Sequence, residues 1–193
     1  NPQLTMARSR DAMRMAQVRA DTLNPRHPAS RFSGGNLDTL KDKPGSKLHD
    51  QLTAFYQRYY SANLMVGVIY SNKPLPELAE LAATTFGQIA NHHAAVPPIT
   101  VPTLTADQKG EFIHFVPAQP RKELRVEFAI DNNSAHVRSK TDTYISYLMG
   151  NRSPNTLSDW LQKQGYADGI SAGADPMVNR NMGVFNISVS LTD

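Results

Sequence analysis

Cysteine is absent from the 193 residues, and this absence removes several kinds of functional site. A chain without thiols cannot form disulfides, attack a substrate with a thiolate or hold zinc through sulfur. No hydrophobic run approaches the roughly 18 residues that a membrane-spanning helix needs. We therefore expect neither a redox-active or thiolate site nor a membrane partner.

Short catalytic signatures are also missing. The sequence contains no HExxH, no HxxEH, no Gly-x-Ser-x-Gly and no phosphate-binding Gly-x-x-x-x-Gly-Lys-Ser/Thr. The adjacent pair His92 and His93 would point apart in a helix, whereas metal ligands must converge. The residues by themselves indicate an α+β chain without a complete active site.

The excess of positive charge is small. The chain has 20 Lys and Arg against 17 Asp and Glu, a net charge of +3, and the two signs are interspersed. Nucleic-acid-binding surfaces usually concentrate basic residues on one face, so we expect no nucleic-acid partner. Four arginines on a helix predicted over residues 4–20 leave two interpretations open, a solvated basic face or an anion-binding surface: Arg8, Arg10, Arg14 and Arg19.

Hydrophobic periodicity gives the order of the elements. Helical spacing over 48–62 and 76–90 flanks an apolar run at 64–70 that predicts a buried strand. A proline-rich stretch at 91–110 follows, and then alternating patterns predict strands at 112–116, 124–130 and 185–191. We therefore predict an α+β fold, with antiparallel sheets, helices packed on one face and partial domains, because both ends resemble cuts in a longer protein.

The stretch from Asp142 to Gly173 carries most of the functional information. Gly150 and Gly165 are stop signals for two helices, and the polar break 151–155 separates them. Ser153 and Pro154 predict a cap followed by the first helical turn. An extended segment at 166–173 and turns at 175–176 and 180–183 complete the pattern. The apolar anchors of this stretch are Leu148, Leu157, Trp160 and Leu161.

Several long strings together resemble one known family. They are LTMARSRDAMRMAQV, NPRHP-SRFSGGNLDTL, YYSANLM, IYSNKPLPELA, PRKELRVEF-IDNNSA and NRSPNTLSDWLQKQG. They are similar to the pitrilysin branch of the inverted-motif zinc metallopeptidases, family M16, which includes the insulin-degrading enzymes. The resemblance runs from about residue 3 to residue 193.

The resemblance implies how the chain divides. Family proteins are roughly five times longer and have four homologous α+β domains that enclose a chamber. Residues 1–95 would be the back of the first, catalytic-type domain, 96–110 a linker, and 111–193 the front of the second, non-catalytic domain. The HxxEH motif would lie upstream, so no catalytic residue is expected in this chain. The remaining domains of the same protein would be its partners.

The resemblance also implies a metal. Family members hydrolyse peptides with a zinc-bound water, since zinc lowers the pKa of that water toward neutrality. The third zinc ligand of the family, a glutamate, falls on Gln3. An amide is a poorer ligand than a carboxylate. The first residues would then derive from a cloning vector, the protein would be an inactive paralogue, or the site would tolerate the change.

A substrate exosite in the second domain of the insulin-degrading relatives maps onto two stretches of this sequence. It anchors the amino-terminal end of a peptide, and the relatives carry more histidine, acid and glycine there. An exposed strand edge can hold a peptide through backbone hydrogen bonds. The positions implied are Gly150, Asn151, Arg152, Ile170, Ser171, Ala172 and Ala174.

The leading hypothesis is a piece of a periplasmic zinc endopeptidase that degrades small polypeptides. The piece would supply substrate-binding surface and the helix that carries the third ligand, and would be inactive alone. The alternative is a non-catalytic peptide-binding or scaffold relative with the same fold. A third hypothesis, an anion-binding module built on the arginine helix, is opposed by the scattered charge.

Overall fold

The structure is a computed structural model that describes residues 5, 8–32 and 34–193. The chain forms two compact units, one within Asn1–Gly34 and Ile99–Asp193 and the other within Gly35–Pro98. These compact units do not test the predicted division into two domains joined by a linker at 96–110, which stays a prediction. The longest described helices have 12 residues, so none of them could cross a bilayer.

A three-stranded antiparallel sheet forms the centre of the first unit. Its strands are β1 (Glu123–Asp131), β2 (Ala167–Asn179) and β3 (Met182–Leu191), in the order β1-β3-β2. Alternating patterns at 124–130 and 185–191 had predicted two of these strands, and Val126 pairs with Ile187 in the register that results. The α+β class with an antiparallel sheet is confirmed.

The β2–β3 hairpin is longer than the sequence suggested. Asp175 and Pro176 do not end β2, and the strand continues to Asn179 through a register shift between Asp175 and Asn179. Proline has no N–H for a regular ladder and is accommodated where the ladder is irregular. Gly183 opposes this irregularity, where an added β-carbon would lie 2.8 Å from the carbonyl oxygens of Asp175 and Pro176. The predicted turn at 175–176 is therefore wrong.

Two helices precede β2 and pack against it. They are α4 (Thr141–Met149) and α5 (Leu157–Lys163). Gly165 ends α5 in the left-handed region at φ 71°, as its position predicted. The cap of α5 was predicted wrongly. Thr156, not Ser153, is the N-cap, because its side chain accepts a hydrogen bond from the Asp159 amide.

The apolar core of this unit is small. Ala167, Ile170 and Val189 form a buried cluster, and Leu161 and Ile187 pack against it. Of the predicted anchors, Leu148, Leu157 and Trp160 remain about half exposed. Of these four anchors, Leu161 is the one that packs against the cluster.

The predicted strand at 112–116 is not formed. No described strand pairs with it, and its carboxyl end lies instead against α1 (Asp11–Asp21). Arg14 donates to the Val116 carbonyl at 3.1 Å and places its guanidinium 4.9 Å from the Phe115 ring centre. The predicted helix at 4–20 is interrupted by the extended residue Arg10. Residues 4, 6 and 7 lie outside the described part.

The second unit contains helices α2 (Leu48–Tyr59) and α3 (Leu75–Phe86), at the positions that periodicity predicted. The strand predicted at 64–70 is absent. Val66 and Tyr70 are 94% and 99% exposed, and no described strand pairs with this segment. An apolar extended run becomes a strand only when a neighbouring strand supplies its hydrogen bonds.

Candidate substrate-binding edge

The break between α4 and α5 has a defined backbone. The amide of Gly150 still donates to the Ser146 carbonyl at 2.9 Å, which closes the last turn of α4. The side-chain oxygen of Asn151 accepts a hydrogen bond from the Ser153 amide at 2.9 Å. Arg152 lies between them with an exposed side chain. Glycine and an asparagine-stabilised turn thus redirect the chain, as the composition of the break predicted.

The four predicted positions on β2 differ in accessibility. Ile170 is 3% exposed and belongs to the core, so its side chain is not available to a ligand. Ser171 is exposed and pairs across the ladder with Ser188. Ala172 and Ala174 are half-buried and lie opposite Ile187 and Phe185. At Ile170 only the backbone could contact a peptide.

The fold brings the break and the strand together. An added β-carbon at Gly150 would stand 3.2 Å from the Ser146 carbonyl oxygen and 4.0 Å from the Ala172 amide nitrogen. A β-carbon at position 150 would therefore press on the Ser146 carbonyl and reach ordinary contact distance of the β2 backbone, so larger side chains would extend into the space beside β2. Glycine keeps that approach open. The break and β2 are therefore neighbours in the fold.

β2 lies at one side of the sheet and has β3 as its only strand partner among the described residues. Side-chain and loop groups bind β2 on either side of the 169–174 stretch. Gln162 donates to the Asp168 carbonyl at 3.0 Å, and the Asn133 amide donates to the Pro176 carbonyl at 3.2 Å. An edge strand presents N–H and C=O groups that another extended chain can pair with.

The charges beside the break are arranged on α5. Lys163 donates to Asp159 at 2.7 Å, and the Asn155 amide donates to the same carboxylate at 2.9 Å. These hydrogen bonds hold the pKa of Asp159 below its ordinary 3.8. Asp159 therefore stays ionised near neutral pH, and its hydrogen bond to the Asn155 amide stabilises the beginning of α5.

A cavity of about 740 Å³ adjoins the same strand and was missed at the level of sequence. It lies at the beginning of α4 and is lined by Asn133, Lys140, Asp142, Ser146, Gly173 and Ala174, among others. Asn133 hydrogen-bonds Asp142 through its amide nitrogen, while its side-chain oxygen is buried without a partner in the described part. The polar string Asn132-Asn133-Ser134 was the available signal.

No metal centre can be built from the described residues. Among residues 5, 8–32 and 34–193, no three His, Asp or Glu side chains converge as metal ligands would. Gln3 lies outside the described residues, so its predicted place beside zinc stays a prediction. The arginine helix is partly neutralised, since Arg14 pairs with Asp11 at 2.6 Å and Arg19 with Glu127.

The class of protein follows from comparison with known families. The model of the peptidase M16 inactive domain matches residues 47–193. The chain belongs to the M16 peptidase family. This confirms the resemblance derived from the sequence strings.

Comparison of the amino-acid sequence with known proteins identifies particular relatives. The chain is 66% identical over all 193 residues to Protease 3 of Salmonella typhi and to Protease 3 of Escherichia coli K12. It is 30% identical over 186 residues, 95% of this chain, to the A-factor-processing enzyme of Saccharomyces cerevisiae. The matches cover 20% and 18% of these relatives, so the chain spans about a fifth of their length.

Solved structures agree. The crystal structure of pitrilysin superposes on the whole chain with a TM-score of 0.96 at 66% identity, and 21% of that protein is covered. The periplasmic protease PqqL from Escherichia coli matches the whole chain with a TM-score of 0.66 at 15% identity, over 21% of its own chain. The second likeness shows the shared fold alone.

Proposed function

We propose that this chain is part of a zinc-dependent endopeptidase of small polypeptides and that it holds the substrate rather than cleaving it. The free edge of β2 beside Gly150 carries this proposal. Identity of 66% to Protease 3 supports the activity of the whole protein. By the same likeness, the whole protein would act in the periplasm.

The substrate would add to β2 as an extended strand. Backbone pairing at 169–174 gives affinity with little dependence on sequence, which suits an enzyme that degrades varied peptides. Gly150 leaves room for the added backbone, and Ala172 and Ala174 present small side chains on the same strand. Asn151 fixes the turn that places Gly150 there, Ser171 offers a hydroxyl on the exposed side, and Ile170 anchors the strand in the core.

Zinc would be bound in the whole protein, mainly by residues outside this chain. Its chemistry there would be to activate a water for attack on the peptide bond. By the resemblance, Gln3 would stand at the position where the family carries a zinc ligand. The isolated 193-residue chain should therefore show no chelator-sensitive peptide cleavage, and such cleavage by a preparation free of other proteases would overturn this assignment.

The test is the Gly150→Val substitution in the full-length protein. The added side chain should block the edge at Ala172, so KM for polypeptides long enough to reach β2 should rise about fivefold, the cost of one lost hydrogen bond. Hydrolysis of short peptides that cannot reach β2 should be unchanged. Ser153→Val is the matched control, since Ser153 is exposed in the same break and contacts β2 in no described interaction. Equal effects on long and short peptides would refute the proposal.

A second candidate is a non-catalytic peptide-binding relative. Gln3 favours it, because by the resemblance the family carries a zinc-binding glutamate at this position and an amide is a poorer zinc ligand. Zinc analysis of the full-length protein separates the two candidates. One bound zinc with peptide hydrolysis supports the enzyme, whereas peptide binding without zinc supports the relative.

A further inference from the structure

The guanidinium of Arg152 lies close to the beginning of β2. Its Nη2 atom lies 4.0 Å from the position that a β-carbon would occupy at Gly169. Arg152 is exposed. Other cations near the sheet are engaged, with Lys163 on Asp159 and Arg125 on Glu123. Among the described residues, no carboxylate is within ion-pairing distance of Arg152.

Gly169 makes this placement possible. It is the first residue of β2 after the register shift that separates Ala167 from Gly169. A longer side chain at 169 would occupy the space in front of the guanidinium. With glycine there, the exposed guanidinium lies close to the backbone of β2, beside the strand that would hold a peptide.

A guanidinium placed in this way has a preferred ligand. Its planar, forked N–H groups match the two oxygens of a carboxylate and form paired, charge-assisted hydrogen bonds. Backbone pairing along β2 discriminates poorly between sequences, so a charge beside the beginning of the strand would be a source of selectivity.

We propose that Arg152 selects, among peptides held on the β2 edge, those that present a carboxylate where they pass Gly169. This inference rests on the proposed function of the edge. The carboxylate would come from an aspartate or glutamate side chain or from the free carboxyl end of the peptide. Because the site is exposed to water, the preference should be about fivefold and should weaken with added salt.

A purely structural role for Arg152 has a different signature. The residue follows the carboxyl end of α4, where a positive charge is favourable to the helix dipole. A charge that served only the helix would change the unfolding temperature and leave the choice of peptide unaltered. Peptide discrimination is therefore the decisive readout.

The experiment compares peptides that differ by one charge. The full-length protein is titrated with extended peptides of identical length that carry either Glu or Gln at one position, moved stepwise along the peptide. Each peptide is made with a free and with an amidated carboxyl end. Wild-type protein should prefer the Glu peptide about fivefold at one position. If the preference instead follows the free carboxyl end, that end is the source.

Variants at position 152 assign the preference. Arg152→Gln should abolish it, Arg152→Glu should reverse it, and Arg152→Lys should retain part of it. Lys109→Glu changes the net charge by the same amount as Arg152→Glu, but at another exposed position, and should leave the preference intact. A preference that persists in Arg152→Gln, or its absence from wild-type protein, would overturn the inference.

The two proposals fail in distinguishable ways. If neutral peptides bind and Gly150→Val weakens them but charge has no effect, only the role of Arg152 is lost. If Gly150→Val weakens no peptide, the strand edge itself is not the binding site.

Discussion

The imidazole of His27 lies 3.4 Å, Nε2 to Oγ1, from the hydroxyl of Thr103, a residue 76 positions away in the sequence. Nδ1 accepts a hydrogen bond from the Ala29 amide, so the proton of the neutral ring is on Nε2 and faces Thr103. Thr103 in turn donates to the Asn179 side chain at 3.3 Å. His27 is 1% exposed and Thr103 4% exposed. These polar groups join the segment after α1 to the tip of the β2–β3 hairpin.

Burial lowers the pKa of His27 from its ordinary 6.5, because the charged ring would be desolvated. The folded state therefore binds this proton less readily than the unfolded chain does. The contribution to stability is complete above pH 6.5 and is lost as the pH falls below it. We expect the unfolding temperature to drop between pH 6.5 and 5, and His27→Gln to remove part of that drop.

The control for this prediction is His49→Gln, since His49 is exposed on α2. It should follow the pH profile of the wild-type protein. Thermal unfolding monitored by circular dichroism is sufficient for both variants. A His27→Gln profile that parallels the wild type throughout would contradict the assignment.

Asp11 should control the contact between α1 and the segment at 115–118. Its carboxylate accepts hydrogen bonds from the Ala118 amide at 2.9 Å and from Arg14. The Ala118 amide is the main cause that lowers the pKa of Asp11 from 3.8. The contact should persist above pH 3.8 and weaken as the pH falls below it. Asp11→Asn should speed hydrogen exchange at Ala118 at neutral pH.

Asp21→Asn is the matched control, because Asp21 lies on the same helix and hydrogen-bonds Gln17. Exchange at Ala118 should be unaffected by that change. Faster exchange in both variants would mean that the helix as a whole has loosened.

Thr156 should be the energetic start of α5. Its hydroxyl oxygen accepts from the Asp159 amide at 3.4 Å and its proton is donated to the Ser153 carbonyl at 2.7 Å. Thr156→Ala removes both bonds and should cost about 1 kcal/mol of unfolding free energy. Thr156→Ser keeps the hydroxyl and should cost far less. Denaturant unfolding measures both, and equal losses would show that the cap is unimportant.

Ile170 should matter through packing alone. It is buried with Ala167 and Val189, so Ile170→Ala should lower the free energy of unfolding by about 2–4 kcal/mol. Ile145→Ala, at a side chain 42% exposed on α4, should cost much less. Peptide affinity at a temperature where both variants are folded should remain near the wild-type value. A selective loss of affinity in Ile170→Ala would give its side chain a direct role that the structure does not indicate.

Periodicity predicted the helices well where one face is consistently apolar. Leu48, Leu52 and Phe55 follow helical spacing, and α2 occupies their positions although Leu52 and Phe55 remain about half exposed. The strand predictions succeeded where a partner is present. Val126 and Phe128 pair with Ile187 and Phe185, whereas the apolar runs at 64–70 and 112–116 have no described partner and are not strands.

The residues of the candidate edge were predicted from the family resemblance and not from their own types or spacing. Gly150 and Ala172 lie on different elements, and neither residue type by itself indicates contact with a ligand. Gly169, which lies next to Arg152, carries no signal at all in a β-rich stretch. Neighbours of this kind depend on how α4, the break and β2 cross, which local preferences do not encode.

The amino-acid sequence by itself determined the α+β class, the order of elements from β1 to β3, the glycine stop at 165 and membership of the M16 family. Each of these depends on local propensity or on a long string of residues. Tertiary structure alone decided that the Thr103 hydroxyl lies against the His27 ring and that the Arg152 guanidinium lies close to Gly169. It also decided that β2 has one strand partner among the described residues. These contacts join residues distant in sequence, and their geometry is set by strand register and helix packing, which arise only when the whole unit folds.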